Sequence, residues 1–197
     1  MRILLLGGFL GSGKTSILLQ LAKHIISKEG KSGSTTVMII ENEIGDVSVD
    51  DKLLISQGLA VRDLFSGCAC CTSGGDLLMD IQKIKDEINP KWIIIEATGV
   101  AYPRQIKESI EMYFHIPVKI LCVADAKRWK RLRRAMSQLI EAQLELADCI
   151  LLNKVDLVSE EEADAVLADI RTFNENAVLH KTTGILPVDE AVWEAIV

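Results

Sequence analysis

The sequence has no apolar run near the ~20 residues that a membrane span requires. It also lacks an excess of positive charge, because 22 basic side chains are set against 28 acidic ones and the formal net charge is -6. This balance argues against nucleic-acid binding by bulk electrostatics. The apolar N-terminus MRILLLGG is short and has no small-residue cleavage site, so we do not predict a signal peptide. Together these absences predict a cytoplasmic protein.

Internal repeats and low-complexity linkers are also missing from the sequence. With 197 residues, of which 49% are hydrophobic, the chain is long enough to bury a core of its own. We therefore expect one domain over residues 1–197, without a separate C-terminal domain.

Short apolar runs alternate along the chain with segments of helical periodicity. The apolar runs are RILLLG, TTVMIIE, KWIIIEA, VKILCVADA and CILLNKVD. The helical segments are GKTSILLQLAKHIISK, GDLLMDIQKIKDEIN, RQIKESIEMYF and SEEEADAVLADIRTFN. Runs rich in Ile, Leu and Val predict strands buried on both faces, and the alternation predicts crossover connections. We expect an α/β fold, a mostly parallel sheet flanked by helices on both faces, with a capping box from Ser159 to Glu162.

The first apolar run leads into GFLGSGKT, which fits the pattern G-x-x-x-x-G-K-[ST] and predicts a P-loop NTPase fold. Glycines allow backbone N–H groups to wrap phosphates, and the following helix N-terminus adds positive potential. We expect Lys14 to neutralise the β- and γ-phosphates and the Thr15 hydroxyl to bind Mg²⁺. A chance glycine-rich turn is the alternative, and the position between a strand and a helix disfavours it. The predicted nucleotide-binding residues of this loop are Gly8, Gly11, Ser12, Gly13, Lys14, Thr15 and Ser16.

The stretch NKVD follows the apolar run CILL directly, so Asn153, Lys154 and Asp156 are expected at the carboxyl end of a strand. Open α/β sheets bind their ligands at that edge. An aspartate there can accept hydrogen bonds from the N1–H and 2-amino groups of guanine, a pattern that adenine does not offer. The stretch therefore favours GTP over ATP. A polar loop that merely caps the strand is the alternative.

Between these two motifs lies WIIIEATGVAYP, with a carboxylate at the end of a buried strand. A buried carboxylate needs a partner, so we expect Glu96 to face Mg²⁺ or its water shell. Gly99 would let the next loop approach the γ-phosphate through its backbone N–H. A structural carboxylate at the end of a neighbouring helix is the alternative for Glu96.

Three of the five cysteines lie within GCACCTSGGDL, at Cys68, Cys70 and Cys71. In a reducing compartment, such a cluster favours metal binding or redox chemistry over a structural disulfide. Simple packing of the thiols is a third possibility. The other two cysteines, Cys122 and Cys149, lie inside apolar runs and are predicted to be core residues.

These motifs, together with ENEIGDVSVD, VADA and QLELAD, make the chain resemble the CobW-type metallochaperone GTPases, which are relatives of the HypB and UreG proteins. The resemblance runs from Leu4 to about Leu157. It implies a GTP-binding domain whose nucleotide state controls the capture of a transition metal and its delivery to a client metalloprotein or corrinoid protein. It also implies homodimers that form across the nucleotide face.

In this family the C-x-C-C motif binds metal, so the resemblance assigns Cys68, Cys70 and Cys71 as metal ligands. Their thiolates suit Zn²⁺, with Co²⁺ or another transition metal as alternatives. The acidic candidates for a further ligand are Glu41, Glu43 and Asp46. Because Glu43 also corresponds to the acidic residue that relatives use near Mg²⁺, the assignment of these three to either metal stays open.

Slow GTP hydrolysis is the activity that the resemblance implies, with Lys14, Thr15 and Glu96 as its catalytic residues. Their contribution would be positioning and electrostatic stabilisation of phosphoryl transfer. Contacts with the γ-phosphate would order one metal-binding geometry and release it after hydrolysis. The alternative is a nucleotide-gated metal-sensing or regulatory module without a delivery role.

Two features depart from the family. Many CobW-type proteins carry a second domain and a histidine-rich linker, whereas this chain has only His24, His115 and His180, which we expect to be surface or packing residues. We therefore expect client recognition through the GTPase domain or through another protein.

The second feature is KRWKRLRR, residues 127–134, which places Trp129 among six basic side chains. A solvated helix face is the simplest explanation; a docking site for an acidic partner is the alternative, and nucleic-acid binding is a third.

Overall fold

The computed structural model describes residues 1–30, 35–41, 58–63 and 74–197. The strands of this part are β1 (Arg2–Gly7), β2 (Val37–Glu41), β3 (Leu59–Asp63), β4 (Trp92–Glu96), β5 (Val118–Asp125), β6 (Cys149–Asn153) and β7 (Val178–Lys181). They form one sheet in the order β3-β2-β4-β1-β5-β6-β7, and every neighbouring pair is parallel. The predicted parallel α/β architecture is confirmed.

Helices follow most of these strands. In the same described ranges they are α1 (Lys14–Glu29), α2 (Gly74–Glu87), α3 (Pro103–Phe114), α4 (Trp129–Ala135), α5 (Ser137–Leu144), α6 (Glu160–Arg171) and α7 (Glu190–Ile196). The predicted capping box is present, since Ser159 accepts from the Glu162 N–H and the Glu162 carboxylate accepts from the Ser159 N–H. None of the helices described here is long and apolar enough to cross a membrane.

The apolar side chains of the strands are divided between the two faces of the sheet. In β1, Ile3 and Leu5 pack on one face, while Leu4 and Leu6 pack on the other. Buried side chains of α1 and α7 cover the face of Leu4, and those of α2 to α6 cover the face of Ile3. Burial on both faces explains why the strands read as continuous apolar runs rather than alternating ones.

The order of the strands places the site. The central strand β1 lies between β4 and β5. Strands β2, β3 and β4 lie on one side of it, and strands β5, β6 and β7 lie on the other. At the carboxyl edge of the sheet, Leu6 pairs in register with Glu96, and Asp125 pairs with Asn153. The loop that leaves β1 therefore lies between two strand ends that each carry a carboxylate, at the switch point where open α/β sheets bind ligands.

Part of the basic stretch 127–134 packs against α6, and the remaining basic side chains form an exposed face, as a solvated helix face predicts: Lys127, Lys130, Arg131 and Arg134. Trp129 is only 4% exposed, and its indole N–H donates to Asp169 Oδ2 at 2.7 Å. Arg133 makes an ion pair with the same carboxylate at 3.2 Å, and Lys130 pairs with Glu162. The only aromatic side chain of the stretch is thus buried, so it cannot serve as the exposed anchor of a docking site.

Candidate nucleotide site

The loop between β1 and α1, residues 8–15, is called the phosphate loop below. Gly8 and Gly13 have φ angles of 130° and 100°, which L side chains rarely adopt. A Cβ on Gly8 would lie 2.4 Å from the Val123 carbonyl oxygen, and one on Gly13 would lie 2.3 Å from Asn153 Nδ2. Both positions therefore require glycine for space as well as for conformation. The loop is a tight backbone cradle, as the pattern predicts.

Two side chains of the NKVD stretch hold this loop from outside. Asn153 Nδ2 donates to the Ser12 carbonyl at 2.7 Å, and Lys154 Nζ donates to the Gly11 carbonyl at 2.6 Å. In a planar trans peptide, the C=O of one residue and the N–H of the next point in opposite directions. The N–H groups of Ser12 and Gly13 therefore point away from these two side chains, as a phosphate-binding loop requires, and that of Ser12 donates to the Phe9 carbonyl at 3.1 Å.

Lys14, Thr15 and Glu96 are brought together where α1 begins. The Lys14 side chain is 7% exposed, and its Nζ lies 3.9 Å from Glu96 Oε1 and 3.5 Å from the Phe9 carbonyl oxygen. Thr15 Oγ1 lies 3.5 Å from both carboxylate oxygens of Glu96. A hydroxyl and a carboxylate side by side are hard oxygen donors of the kind that Mg²⁺ prefers. The residues present fit a Mg²⁺-nucleotide complex.

Asn153 and Asp156 occupy different environments, although the pattern groups them. Asn153 is 2% exposed and lies behind the phosphate loop, where its Oδ1 accepts from the Lys154 N–H at 2.8 Å. Asp156 is exposed on a single 3₁₀ turn, Val155–Leu157. Of these two residues, Asp156 presents the carboxylate that could reach a guanine base, whereas Asn153 acts on the loop.

The segment after β7 completes this side of the site and was not assigned from the sequence. The Thr182 carbonyl accepts from the Val155 N–H at 3.3 Å, so the segment lies beside the turn that carries Asp156. A Cβ on Gly184 would come within 2.8 Å of the Asn153 amide. Gln20 of α1 donates to the Gly184 carbonyl at 3.1 Å. The signal in the sequence is the short Thr-Thr-Gly turn after the last strand.

A buried amide links the phosphate loop to the loop after Glu96. Gln143 of α5 is 1% exposed, accepts from the Gly8 N–H at 2.7 Å and donates to the Ala101 carbonyl at 2.6 Å. In the same loop, a Cβ on Gly99 would lie 2.4 Å from the Leu10 backbone nitrogen. The E-x-x-G loop therefore packs directly on the phosphate loop. Sequence reasoning had no signal for Gln143 beyond its place in QLELAD.

Asp125 is a second carboxylate that sequence reasoning did not assign. Its Oδ2 accepts from Lys154 Nζ at 2.7 Å, and its side chain is 1% exposed. Burial by itself would raise the pKa of this carboxyl. Hydrogen bonds from Lys154 and Arg128 outweigh the burial, and the pKa of Asp125 lies below its ordinary value. Asp125 is therefore a stable anion that anchors cations beside the phosphate loop.

The two strand cysteines are core residues, as predicted. Cys122 and Cys149 are both buried and free. Burial raises the pKa of each thiol to about 12. Both remain protonated at neutral pH, and metal binding requires thiolate, so neither is poised to bind metal.

The predicted metal ligands lie mostly outside the described residues. This holds for Cys68, Cys70, Cys71, Glu43 and Asp46. Glu41 is described and is the last residue of β2. Among residues 1–30, 35–41, 58–63 and 74–197, no group of three or more His, Cys, Asp or Glu side chains could hold a metal ion. The assignment of the transition-metal site stays a prediction.

The parallel sheet and the phosphate loop define a P-loop NTPase. Within that class the chain belongs to the CobW/HypB/UreG family, because the model of that family's nucleotide-binding domain matches residues 2–181. The match extends beyond Leu157, where the sequence resemblance ends, and includes β7.

Curated relatives carry zinc-related names. The chain is 32% identical to the zinc chaperone YjiA of Escherichia coli K12 over 81% of its own length, and 30% identical to the zinc chaperone YeiR of the same organism over 82%. It is 27% identical to zinc-regulated GTPase metalloprotein activator 1 of Dictyostelium discoideum over 94%. These matches cover 51%, 49% and 46% of the relatives, so the chain spans about half of their length.

Solved structures share the fold. A zinc-bound triple mutant of the YjiA GTPase has a TM-score of 0.70 and 23% identity, covering 98% of this chain and 60% of that one. The hydrogenase maturation factor HypB from Archaeoglobus fulgidus has a TM-score of 0.64 and 15% identity, covering 92% and 80%. At these identities the likeness establishes a common architecture.

Proposed function

We propose that this chain is a GTP-binding and GTP-hydrolysing metallochaperone domain that captures a transition metal and passes it to a client metalloprotein or corrinoid protein. The observation that carries the nucleotide part is the convergence of Lys14, Thr15 and Glu96 at the start of α1, beside a phosphate loop held by Asn153 and Lys154. The names of the relatives support the metal part.

Nucleotide binding uses the backbone of the phosphate loop and one cation. Loop N–H groups and Lys14 neutralise phosphate charge, and the N-terminus of α1 adds positive potential. Thr15 and Glu96 would hold Mg²⁺ or its water shell, which supplies further charge neutralisation at the phosphates when bound. These groups work by positioning and electrostatics. The turnover that we propose is slow, as the family resemblance implies.

Guanine selectivity rests on Asp156. Its exposed carboxylate follows the anchored pair Asn153 and Lys154, so the base would bind beside the 3₁₀ turn. Asp156→Asn should weaken GTP and improve xanthosine triphosphate, whose 2-oxo group accepts a hydrogen bond instead of donating one. Asp86→Asn, an exposed change on α2, is the matched control. Equal affinity of the unmodified chain for ATP and GTP, measured by fluorescent-nucleotide titration, would sink the guanine assignment.

The metal part of the proposal depends on the sheet edge. Strands β2 and β3 run parallel to β4 and end at Glu41 and Asp63, on the same edge as Glu96 and the phosphate loop. The chain leaves this edge into the segments that carry Glu43, Asp46 and the C-x-C-C motif. This common origin supports a proposal in which the nucleotide controls the metal ligands, with Zn²⁺ as the metal and Co²⁺ as the second ion to test.

Calorimetric titration of Zn²⁺ and Co²⁺ into the chain loaded with GDP or with a non-hydrolysable GTP analogue tests this coupling. We expect nucleotide state to shift metal affinity, and by linkage metal must shift the GTP/GDP preference by the same factor, typically ~5–150-fold. Replacing Cys68, Cys70 and Cys71 by serine should remove one site, whereas Cys149→Ala should remove none. The number of metal ions bound per chain must be measured, because a YjiA variant with alanine in place of one glutamate and two cysteines is still zinc-bound. If the triple serine variant binds as many metal ions as the unmodified chain, the metallochaperone assignment is contradicted. If the chain binds metal but does not transfer it to an apo-client in the presence of GTP, a sensing module is favoured.

A homodimer across the nucleotide face is part of the same proposal. Three apolar side chains of the phosphate loop and of the loop after Glu96 are exposed: Leu10 at 64%, Val100 at 56% and Tyr102 at 46%. Exposed apolar groups beside a ligand site are typical of interaction surfaces. Light scattering with GDP, GTP analogue and Zn²⁺ tests the dimer, and a mass that stays monomeric under all three conditions contradicts it.

A further inference from the structure

Arg128 makes a bridge to the phosphate loop that the assigned motifs do not account for. Its Nε donates to Asp125 Oδ2 at 2.8 Å, and its backbone N–H donates to Asp125 Oδ1 at 3.0 Å. From this anchored position, Nη2 donates to the Leu10 carbonyl oxygen at 2.6 Å. The guanidinium also lies over Gly11, where an added Cβ would meet both Nη atoms at 3.4 and 3.5 Å.

The bridge completes a series of contacts along the loop. Three consecutive carbonyls, of Leu10, Gly11 and Ser12, accept from Arg128, Lys154 and Asn153 in that order. Because each carbonyl is held on the outer side, the N–H of the following residue points away from these donors. Arg128 thus does for the first peptide of the series what the NKVD side chains do for the next two.

Asp125 ties Arg128 and Lys154 to one carboxylate. Both donate to the same Oδ2, at 2.8 and 2.7 Å, and Asp125 itself is fixed in β5 opposite Asn153 of β6. A bidentate guanidinium is preorganised for two acceptors at once, whereas an ammonium on a flexible stem is not. The geometry therefore uses a property of arginine, not only a positive charge.

We propose that Arg128 is a positioning residue of the nucleotide site, which holds the Leu10 carbonyl so that the phosphate loop is ordered before the nucleotide binds. The inference rests on the proposed guanine-nucleotide function. Arg128 acts through the loop backbone and contacts no reacting atom, so its loss should weaken the ground state and the transition state equally. That behaviour raises KM and leaves kcat unchanged.

The test is equilibrium and stopped-flow measurement of mant-GDP and mant-GTP binding, together with GTP turnover, for Arg128→Met and Arg128→Lys. Arg128→Met keeps the aliphatic stem, and Asp125 keeps Lys154 and the backbone N–H of residue 128 as donors, so we expect the fold to persist. Arg128→Met removes both side-chain hydrogen bonds of Arg128, and loss of the charge-assisted one to the Leu10 carbonyl should raise Kd and KM for both nucleotides about tenfold. Arg131→Met is the matched control, because Arg131 is exposed on α4 and carries the same charge.

The lysine variant separates positioning from simple charge. Lysine keeps the positive charge but cannot donate to Asp125 and Leu10 in a fork, so Arg128→Lys should recover only part of the affinity. Full recovery by Arg128→Lys, or an equal loss in Arg131→Met, overturns the inference, because either result shows a bulk electrostatic effect. Wild-type affinity in Arg128→Met also overturns it while leaving the proposed function standing. An unmodified chain that binds neither guanine nucleotide overturns the proposed function itself.

Discussion

The two strands beside β1 each end in a carboxylate, and these two carboxylates differ in their exposure and in the lengths of the contacts described for them. Asp125, at the end of β5, is 1% exposed and accepts hydrogen bonds of 2.7 and 2.8 Å from two cations. Glu96, at the end of β4, is 16% exposed, and its contacts with Lys14 and Thr15 are 3.5 to 3.9 Å long. Short contacts to a buried anion describe a fixed anchor, whereas long contacts leave Lys14 and Thr15 able to turn towards a ligand. These contacts favour a framework role for the Asp125 side of the phosphate loop, and we propose that the nucleotide chemistry belongs to the Glu96 side.

The largest effect is expected on the Glu96 side. Lys14→Ala removes the cation that we propose for the phosphates but leaves a small residue that the first turn of a helix tolerates. We expect GTP hydrolysis to fall by at least ~100-fold, with weak triphosphate binding and an almost unchanged melting temperature. Single-turnover hydrolysis and thermal unfolding check the two parts. Full residual turnover would remove Lys14 from the site.

On the Asp125 side, the effect should be mainly on stability. Asp125→Asn leaves Arg128 and Lys154 without their common anion, and breaking a buried ion pair of this kind costs about 2–3 kcal/mol when its cations are partly exposed, as these are. Affinity for GDP and GTP should fall together, because the loop itself is loosened. Denaturant unfolding measures the first effect. If the Asp125→Asn variant unfolds like wild type but loses turnover, Asp125 belongs to the nucleotide chemistry and not to the framework.

The same aspartate gives a pH dependence with a defined sign. Its pKa is lower in the folded chain than the ordinary value of 3.8. The stabilisation is therefore fully present above about pH 4 and is lost as the pH falls through the lower pKa of the folded state. The stability difference between wild type and Asp125→Asn should be constant from pH 5 to 7 and should shrink below pH 4. A difference that widens in acid contradicts the assignment.

The smallest effect is expected from Glu96→Gln. The amide keeps the shape of the side chain but removes the charge beside Thr15, so the Mg²⁺ concentration for half-maximal turnover should rise about tenfold with little change in stability. A titration of Mg²⁺ at saturating GTP checks this. Asp86→Asn, the exposed change on α2, is the control for the effects of expression and purification. If Glu96→Gln unfolds as easily as Asp125→Asn, the two carboxylates are equivalent anchors.

The sequence predicts the central sheet well, because strands buried on both faces appear as uninterrupted apolar runs. RILLLG coincides with β1, and β6 takes the first five residues of the predicted run CILLNKVD. The edge strands of the described sheet, β3 (LAVRD) and β7 (VLHK), are short and mix polar with apolar residues, so no run indicated them. The helices α4 and α5 have only seven and eight residues and are separated by Met136, with a φ of -141°. Both are too short for the helical period to emerge, so α4 was expected only as the basic helix face of residues 127–134 and α5 was not predicted.

The site was predictable to the extent that its chemistry is local in the chain. The phosphate loop, the carboxylate at Glu96 and the NKVD stretch are contiguous patterns, and the structure brings them to one edge. Gln143, Asp125 and Arg128 were missed because their importance comes from what they touch: a loop N–H, a pair of cations and a loop carbonyl that are distant in sequence. Asn153 was found, but its position behind the loop depends on packing that no local pattern contains.

The Asn153 amide is enclosed by two glycines, Gly13 on one side and Gly184 on the other, and a methyl group on either would collide with it. Evolutionary paths through these three positions are therefore epistatic. An asparagine or aspartate at Gly184 has a tolerable backbone conformation, since φ there is 67°, but it becomes accessible only to a lineage in which residue 153 has already become smaller. Directed-evolution libraries that vary one position at a time will reject substitutions at Gly184, whereas a library that also varies residue 153 can reveal the permitted combinations.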